Sequence, residues 1–142
     1  MNAFLRESNA RTALIVDRNG QMITSAGEPP TFDPTAFASL TAADFSANDQ
    51  LARMIGEPEF GALFHQGERE SMYLADIARR VILVVLFDNR ATLGLVKLRV
   101  KAAVRELNAL FEELFRQDAV AGPAIETGFL GEAEDEIDKL FG

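Results

Sequence analysis

Few side chains in this sequence are placed to do covalent chemistry. His65 is the one histidine among 142 residues. It could serve as a general base, but no serine or cysteine pair stands beside it, so a strand-end or interface histidine is the simpler reading. There is no cysteine, which excludes disulfides and thiolate metal sites, and a single histidine cannot build a multi-histidine metal site. Arg53 could project as an arginine finger. A finger must reach into another protein's phosphate site from an extended loop, and the middle of a helix is a poor base for that reach. Asp88-Asn89-Arg90 would suit a polar site at a strand end, but a helix cap is the simpler reading. Arg79-Arg80 could meet an acidic partner, but a solvated turn is the simpler reading. GxxxxGK followed by Ser or Thr, GxGxxG, HExxH and GxSxG are all absent, so a P-loop, a dinucleotide fingerprint, a zincin site and a nucleophile elbow are not expected. No catalytic residue, cofactor or metal site is therefore expected.

The charge pattern points to protein partners. The net charge is −8. From Asp118 onward seven acidic residues (Asp118, Glu126, Glu132, Glu134, Asp135, Glu136, Asp138) face Lys139 alone, which gives −6 for the end and −2 for the rest. Such a body has no electrostatic reason to seek nucleic acid or an anionic membrane. The longest apolar run, residues 81–87, is too short to span a bilayer, and the N-terminus lacks a signal-peptide core. A cytoplasmic location without membrane insertion is expected. A hydrophobic fraction of 48% and a charged fraction of 25% suit one folded domain.

The elements that must position these residues follow from periodicity and punctuation. Residues 2–10 suit a short helix. Residues 12–16 read as a buried strand, Asn19-Gly20 as a tight hairpin turn, and 21–26 as the return strand. Asp33 and Pro34 mark the start of a helix that Gly56 and Pro58 stop. Its helical spacing runs through Phe37, Leu40, Asp44 or Phe45, Ala47, Leu51, Met54 and Ile55. Its middle is rich in small residues, which would let another backbone approach closely. A short strand at 64–67 and an alternating one at 71–77 precede 81–87, whose continuous apolar run predicts the central strand, covered on both faces. Asp88 or Asn89 is the expected cap of a long helix over 91–117, with the stripe Leu93, Val96, Val100, Val104, Leu107, Leu110, Phe111 and Leu114. The class is α+β: a five-stranded antiparallel sheet sandwiched between helices. The boundaries are a domain over 1–118 and a flexible acidic tail over 119–142. In that tail Ile137, Leu140 and Phe141 fall at i, i+3 and i+4, an apolar edge suited to a short helix formed on binding.

Several stretches together resemble the roadblock/dynein-light-chain family. They are Leu14-Ile15-Val16-Asp17-Arg18-Asn19-Gly20-Gln21, Leu40-Thr41-Ala42-Ala43, Leu51-Ala52-Arg53-Met54-Ile55-Gly56-Glu57, Phe64-His65-Gln66-Gly67 and Val84-Val85-Leu86-Phe87-Asp88-Asn89-Arg90-Ala91-Thr92-Leu93-Gly94-Leu95-Val96. The resemblance is strongest to a bacterial branch that regulates cell polarity and motility. It implies a roadblock fold and a homodimer whose sheets join. It also implies an activator of a Ras-like small GTPase of the MglA type, with no active site of its own and no arginine finger. The implied GTPase contacts are Ala42, Ala43, Ser46, Asp49, Gln50 and Arg53, with Ile137, Leu140 and Phe141 as a second contact. Asp49-Gln50 stands where relatives often carry glycines, and the N-terminal helix is short for the family. The alternative is a roadblock scaffold that tethers a GTPase or another complex without changing its turnover. The acidic tail favours the activator.

Overall fold

The computed structural model describes residues 2–58 and 61–121. The expected tail contact at Ile137, Leu140 and Phe141 lies outside the described residues. The elements are α1 (Asn2–Ser8), β1 (Thr12–Asp17), β2 (Met22–Gly27), α2 (Pro34–Met54), β3 (Ala62–Gln66), β4 (Ser71–Ile77), β5 (Val81–Phe87) and α3 (Leu93–Ala121). The five strands form one sheet in the order β2-β1-β5-β4-β3, antiparallel throughout. β5 is central, as its apolar run requires. It pairs with β1 from Thr12↔Leu86 to Asp17↔Val81 and with β4 from Ser71↔Phe87 to Ile77↔Val81.

Strand alternation sorts the core into two halves. Ala13, Ile15, Tyr73, Ala75, Ile77, Leu83, Val85 and Phe87 face α1 and α3, meeting Phe4, Leu5, Val96, Val100, Leu107 and Phe111. Leu14, Val16, Leu74, Ile82 and Val84 face Ala38 and Phe45 of α2. The β1–β2 turn packs under α2 at Gly20, whose φ is 93° and where a Cβ would come 3.1 Å from the Ser39 Cα, so only glycine fits without displacement.

Three expectations are corrected. The residues of α2 that face its own sheet are Ala38, Thr41, Ala42, Phe45, Asn48 and Ala52. Leu40, Leu51, Met54 and Ile55 point outward. Apolar residues occupy two sides of this helix, and the larger set is the outer one. The cap of α3 is Thr92, whose Oγ1 accepts the Leu95 N–H at 3.2 Å. Asp88 instead accepts the Arg90 N–H at 2.9 Å and binds the Arg90 guanidinium, closing a local turn ahead of the helix. Finally, α3 continues to Ala121 rather than ending at Gln117.

Candidate functional site

The candidate surface is built on α2, whose two ends are firmly set. Asp33 accepts the Thr35 N–H at 3.0 Å, and Pro34 occupies the first turn, where a backbone donor has no partner to lose. At the other end Gly56, at φ 85°, and Glu57 return N–H bonds to the Arg53 and Ala52 carbonyls at 3.1 and 2.9 Å. That paired pattern satisfies the last carbonyls and stops the helix.

Between these ends the outward side reads Ala36, Leu40, Ala43, Ala47, Leu51 and Met54, all exposed. Leu40 is 71% exposed and Met54 81%. Steps of four, three, four, four and three residues put them on one stripe. Of the seven large hydrophobic residues exposed among those described, four (Leu40, Leu51, Met54, Ile55) belong to this helix and its cap. An apolar stripe of this density, with alanines between the larger side chains, is suited to contact with another protein surface.

The six expected contact residues do not all share that side. Ala43, Ser46, Gln50 and Arg53 are exposed, at steps of three, four and three. Ala42 is buried. Asp49 is inside a tertiary tie: its carboxylate accepts Arg18 Nη1 at 2.7 Å, and its side chain is only 16% exposed. Arg18 leaves the β1–β2 turn and also binds Asp76 of β4 through Nη2. Its guanidinium carbon lies 4.8 Å from the centre of the Phe45 ring. Burial alone would lower the Arg18 pKa; the bonds to Asp76 and Asp49 outweigh it and hold the group above its ordinary value. One guanidinium thus joins the sheet, the first hairpin turn and α2. Asn48, buried under the same helix, has an Nδ2 with no hydrogen-bond partner among the described residues.

The sequence reading missed Arg18. The signal for it was Asp76, which alternation puts on the same inward face as Met72 and Leu74. A carboxylate facing a helix-covered surface calls for a cation. His65 also reaches α2: its Nε2 lies 2.6 Å from Asp44 Oδ2, linking the edge strand β3 to the helix. Among the described residues no group of three or more His, Cys, Asp or Glu could hold a metal ion, and no helix is long and apolar enough to cross a membrane.

Residues 1–87 match the Roadblock/LC7 domain family. The fold is similar to MglB of Myxococcus xanthus, with a TM-score of 0.74 and 47% identity over 78% of this chain and 89% of that one. It is similar to the gliding protein MglB of Thermus thermophilus, with a TM-score of 0.72 and 36% identity over 78% of this chain and 84% of that one. It is also similar to an MglB in a tetrameric arrangement, with a TM-score of 0.71 and 36% identity over 78% and 83% of the two chains.

Proposed function

The chain belongs to the Roadblock/LC7 domain family and is MglB-like, and from that premise we propose that it is a homodimeric activator of a Ras-like small GTPase of the MglA type, serving cell polarity or motility. The observation that carries this reading is the apolar outer side of α2. A lone surface helix gains nothing by exposing Leu40, Leu51, Met54 and Ile55. The alanines between them let a second backbone approach closely, and a two-fold axis would set one α2 beside another. The unpaired edge of β3 is a second place where two copies could join, as strand addition to an open edge. The tetrameric arrangement of one MglB structure supports self-association.

In such a dimer the GTPase would rest on the paired α2 helices through Ala43, Ser46, Gln50 and Arg53. The activator would work by holding the GTPase's mobile segments in the conformation that positions the attacking water. Arg53 sits in the last turn of α2 on a stiff backbone, which suits docking better than insertion into a phosphate site. The acidic tail would add a second contact through Ile137, Leu140 and Phe141.

Single-turnover GTP hydrolysis by the Ras-like GTPase of the same genome, with and without this protein, tests the proposal. Faster hydrolysis is expected. Binding that leaves the hydrolysis rate unchanged would make the protein a scaffold instead, and no binding would refute both readings.

A further inference from the structure

The hairpin turn between β4 and β5 has an unusual backbone. Ala78 and Arg79 both have positive φ, 55° and 58°. Glycine and asparagine are the residues that occupy such turns at low cost. The turn is held from three directions. The Ala78 N–H donates to Asn108 Oδ1 of α3 at 2.7 Å, the Arg79 N–H to Asp76 Oδ2 at 3.1 Å, and the Arg80 N–H to the Ile77 carbonyl at 3.0 Å. A strained turn that keeps an arginine where glycine would be easier points to a use for the arginine side chain.

Arg79 lines two clefts. One, of about 400 Å³, is lined by Arg18, Asp49, Arg53, Pro58 and Arg79. The other, of about 610 Å³, is lined by Ala78, Arg79, Arg80, Glu112 and Arg116. Arginines outnumber carboxylates in the lining of both, even with Arg18 already held by Asp49 and Asp76 and Arg116 lying 3.5 Å from Glu113. The second cleft is walled by α3, which runs on for five residues past Arg116 to Ala121, about 7.5 Å of helix. The chain then continues for 21 residues, 122–142, with six carboxylates against Lys139, a charge of −5.

We propose that the acidic run at 132–138 docks on the arginine turn of its own protomer, across the two clefts that Arg79 lines. Three observations select this occupant. The charges are complementary. The run begins only eleven residues after α3 ends, and the ten residues 122–131 between them extend at most about 33–36 Å, enough to turn back to Arg116. The tether also supplies an effective concentration on the order of millimolar, so that several individually weak ion pairs suffice. Docking there brings acidic chain against Arg53, in the last turn of α2. The docking does not depend on the GTPase reading. Its consequence, competition between tail and GTPase at that end of α2, does rest on it.

Amide spectra of the free ¹⁵N-labelled protein test the docking separately from any GTPase. The full chain and a chain ending at Gly131 should differ at Arg53, Ala78, Arg79, Arg80, Glu112 and Arg116. The differences should disappear in about 0.5 M salt, where the Debye length falls to a few ångströms. Glu134→Lys combined with Asp135→Lys and Glu136→Lys should reproduce the truncated spectrum, as should Arg80→Glu with Arg116→Glu. Unlabelled full chain mixed with labelled truncated chain should leave the labelled spectrum unchanged. Three results would overturn the proposal: no difference at the turn in low salt, differences that survive both charge reversals, or differences transferred to the truncated chain in the mixture. The last would assign the tail to a second copy.

Discussion

The two faces of the sheet are covered by different means. On one face, α1 and α3 bury large apolar side chains, Phe4, Leu107 and Phe111 among them, over Tyr73, Leu83 and Phe87. On the other, α2 buries three alanines, Thr41, Asn48 and one large residue, Phe45. What α2 lacks in apolar bulk is offset by the Arg18 tie to Asp49 and Asp76, a polar anchor beside a thin apolar layer. Its larger apolar residues are turned outward. A helix built this way has two apolar sides: it is attached to its own sheet at a few points and leaves its richer side exposed.

Removing bulk from the thick face should cost most. Phe111→Ala, at a site 1% exposed, is expected to lower unfolding free energy by about 3–5 kcal/mol, measured by urea denaturation with the slope unchanged. A loss under about 1 kcal/mol would mean that this face is not the main apolar anchor.

Breaking the polar anchor should cost less and act locally. Arg18→Met leaves Asp49 and Asp76 facing each other without a cation. Their side chains and that of Arg18 are 16%, 10% and 23% exposed, so the loss should be about 2–3 kcal/mol, below that of a fully buried pair. Hydrogen exchange should quicken in α2 while α3 keeps its protection. Equal acceleration in both helices would erase the contrast between the faces.

The outer side of α2 should be nearly silent in the protomer's own stability. Leu51→Glu with Met54→Glu is expected to change monomer unfolding by no more than about 0.5 kcal/mol per site. In sedimentation the wild-type chain should run at twice the 15.6 kDa chain mass and the variant as a monomer. A wild-type monomer, or a variant that still dimerises, would show that the partner of this stripe is not a second copy.

Arg53→Ala, in the last turn of the same helix, is expected to reduce stimulated GTP hydrolysis by less than about tenfold, against the roughly 10³-fold or greater loss that removal of a finger brings. A thousandfold loss at unchanged affinity would make Arg53 the finger.

The smallest effect belongs to the exposed end of β5. Arg90, by its hydrogen bonds to the side chain, holds the Asp88 pKa below its ordinary value. A lowered folded-state pKa adds stability at neutral pH that is lost as pH falls through the carboxylate range. Asp88→Asn should therefore lower the neutral melting temperature slightly and flatten the acid limb of the stability curve by the same small amount. An unaltered acid limb would show that the exposed pair adds nothing to folding.

Local chemistry made much of this legible. β4 and β5 have the expected bounds because alternation and a continuous apolar run are short-range patterns, and Asp33-Pro34 and Gly56 mark the ends of α2 through backbone chemistry alone. The facing of α2 was not legible. Both of its sides are apolar, and periodicity identifies stripes without saying which one meets the chain's own sheet. The α3 cap was misplaced because Asp88 and Thr92 offer the same oxygen chemistry to nearby N–H groups, and the choice depends on how the turn after β5 closes. Of the candidate site, Ala43, Ser46, Gln50 and Arg53 were implied by the family resemblance, and helical geometry adds only that the four run along one side. The engagement of Asp49 by Arg18, 31 residues earlier, is a tertiary pairing that no local window contains.

The strand order also shapes how the chain comes to be folded. β1 is made early, but its inner neighbour is β5, and the paired residues lie 64 (Asp17, Val81) to 74 (Thr12, Leu86) positions apart. Closing a loop of that length costs about 4 kcal/mol in chain entropy before any pairing repays it. At about 5–20 residues per second of synthesis, the first hairpin waits roughly 3–15 s for its partner strand to be made. During that wait Leu14, Ile15 and Val16, all fully covered in the folded protein, remain without the strand that will flank them. Slow translation between residues 27 and 81 would lengthen the wait, and a chaperone that grips short apolar strands would find its target in β1.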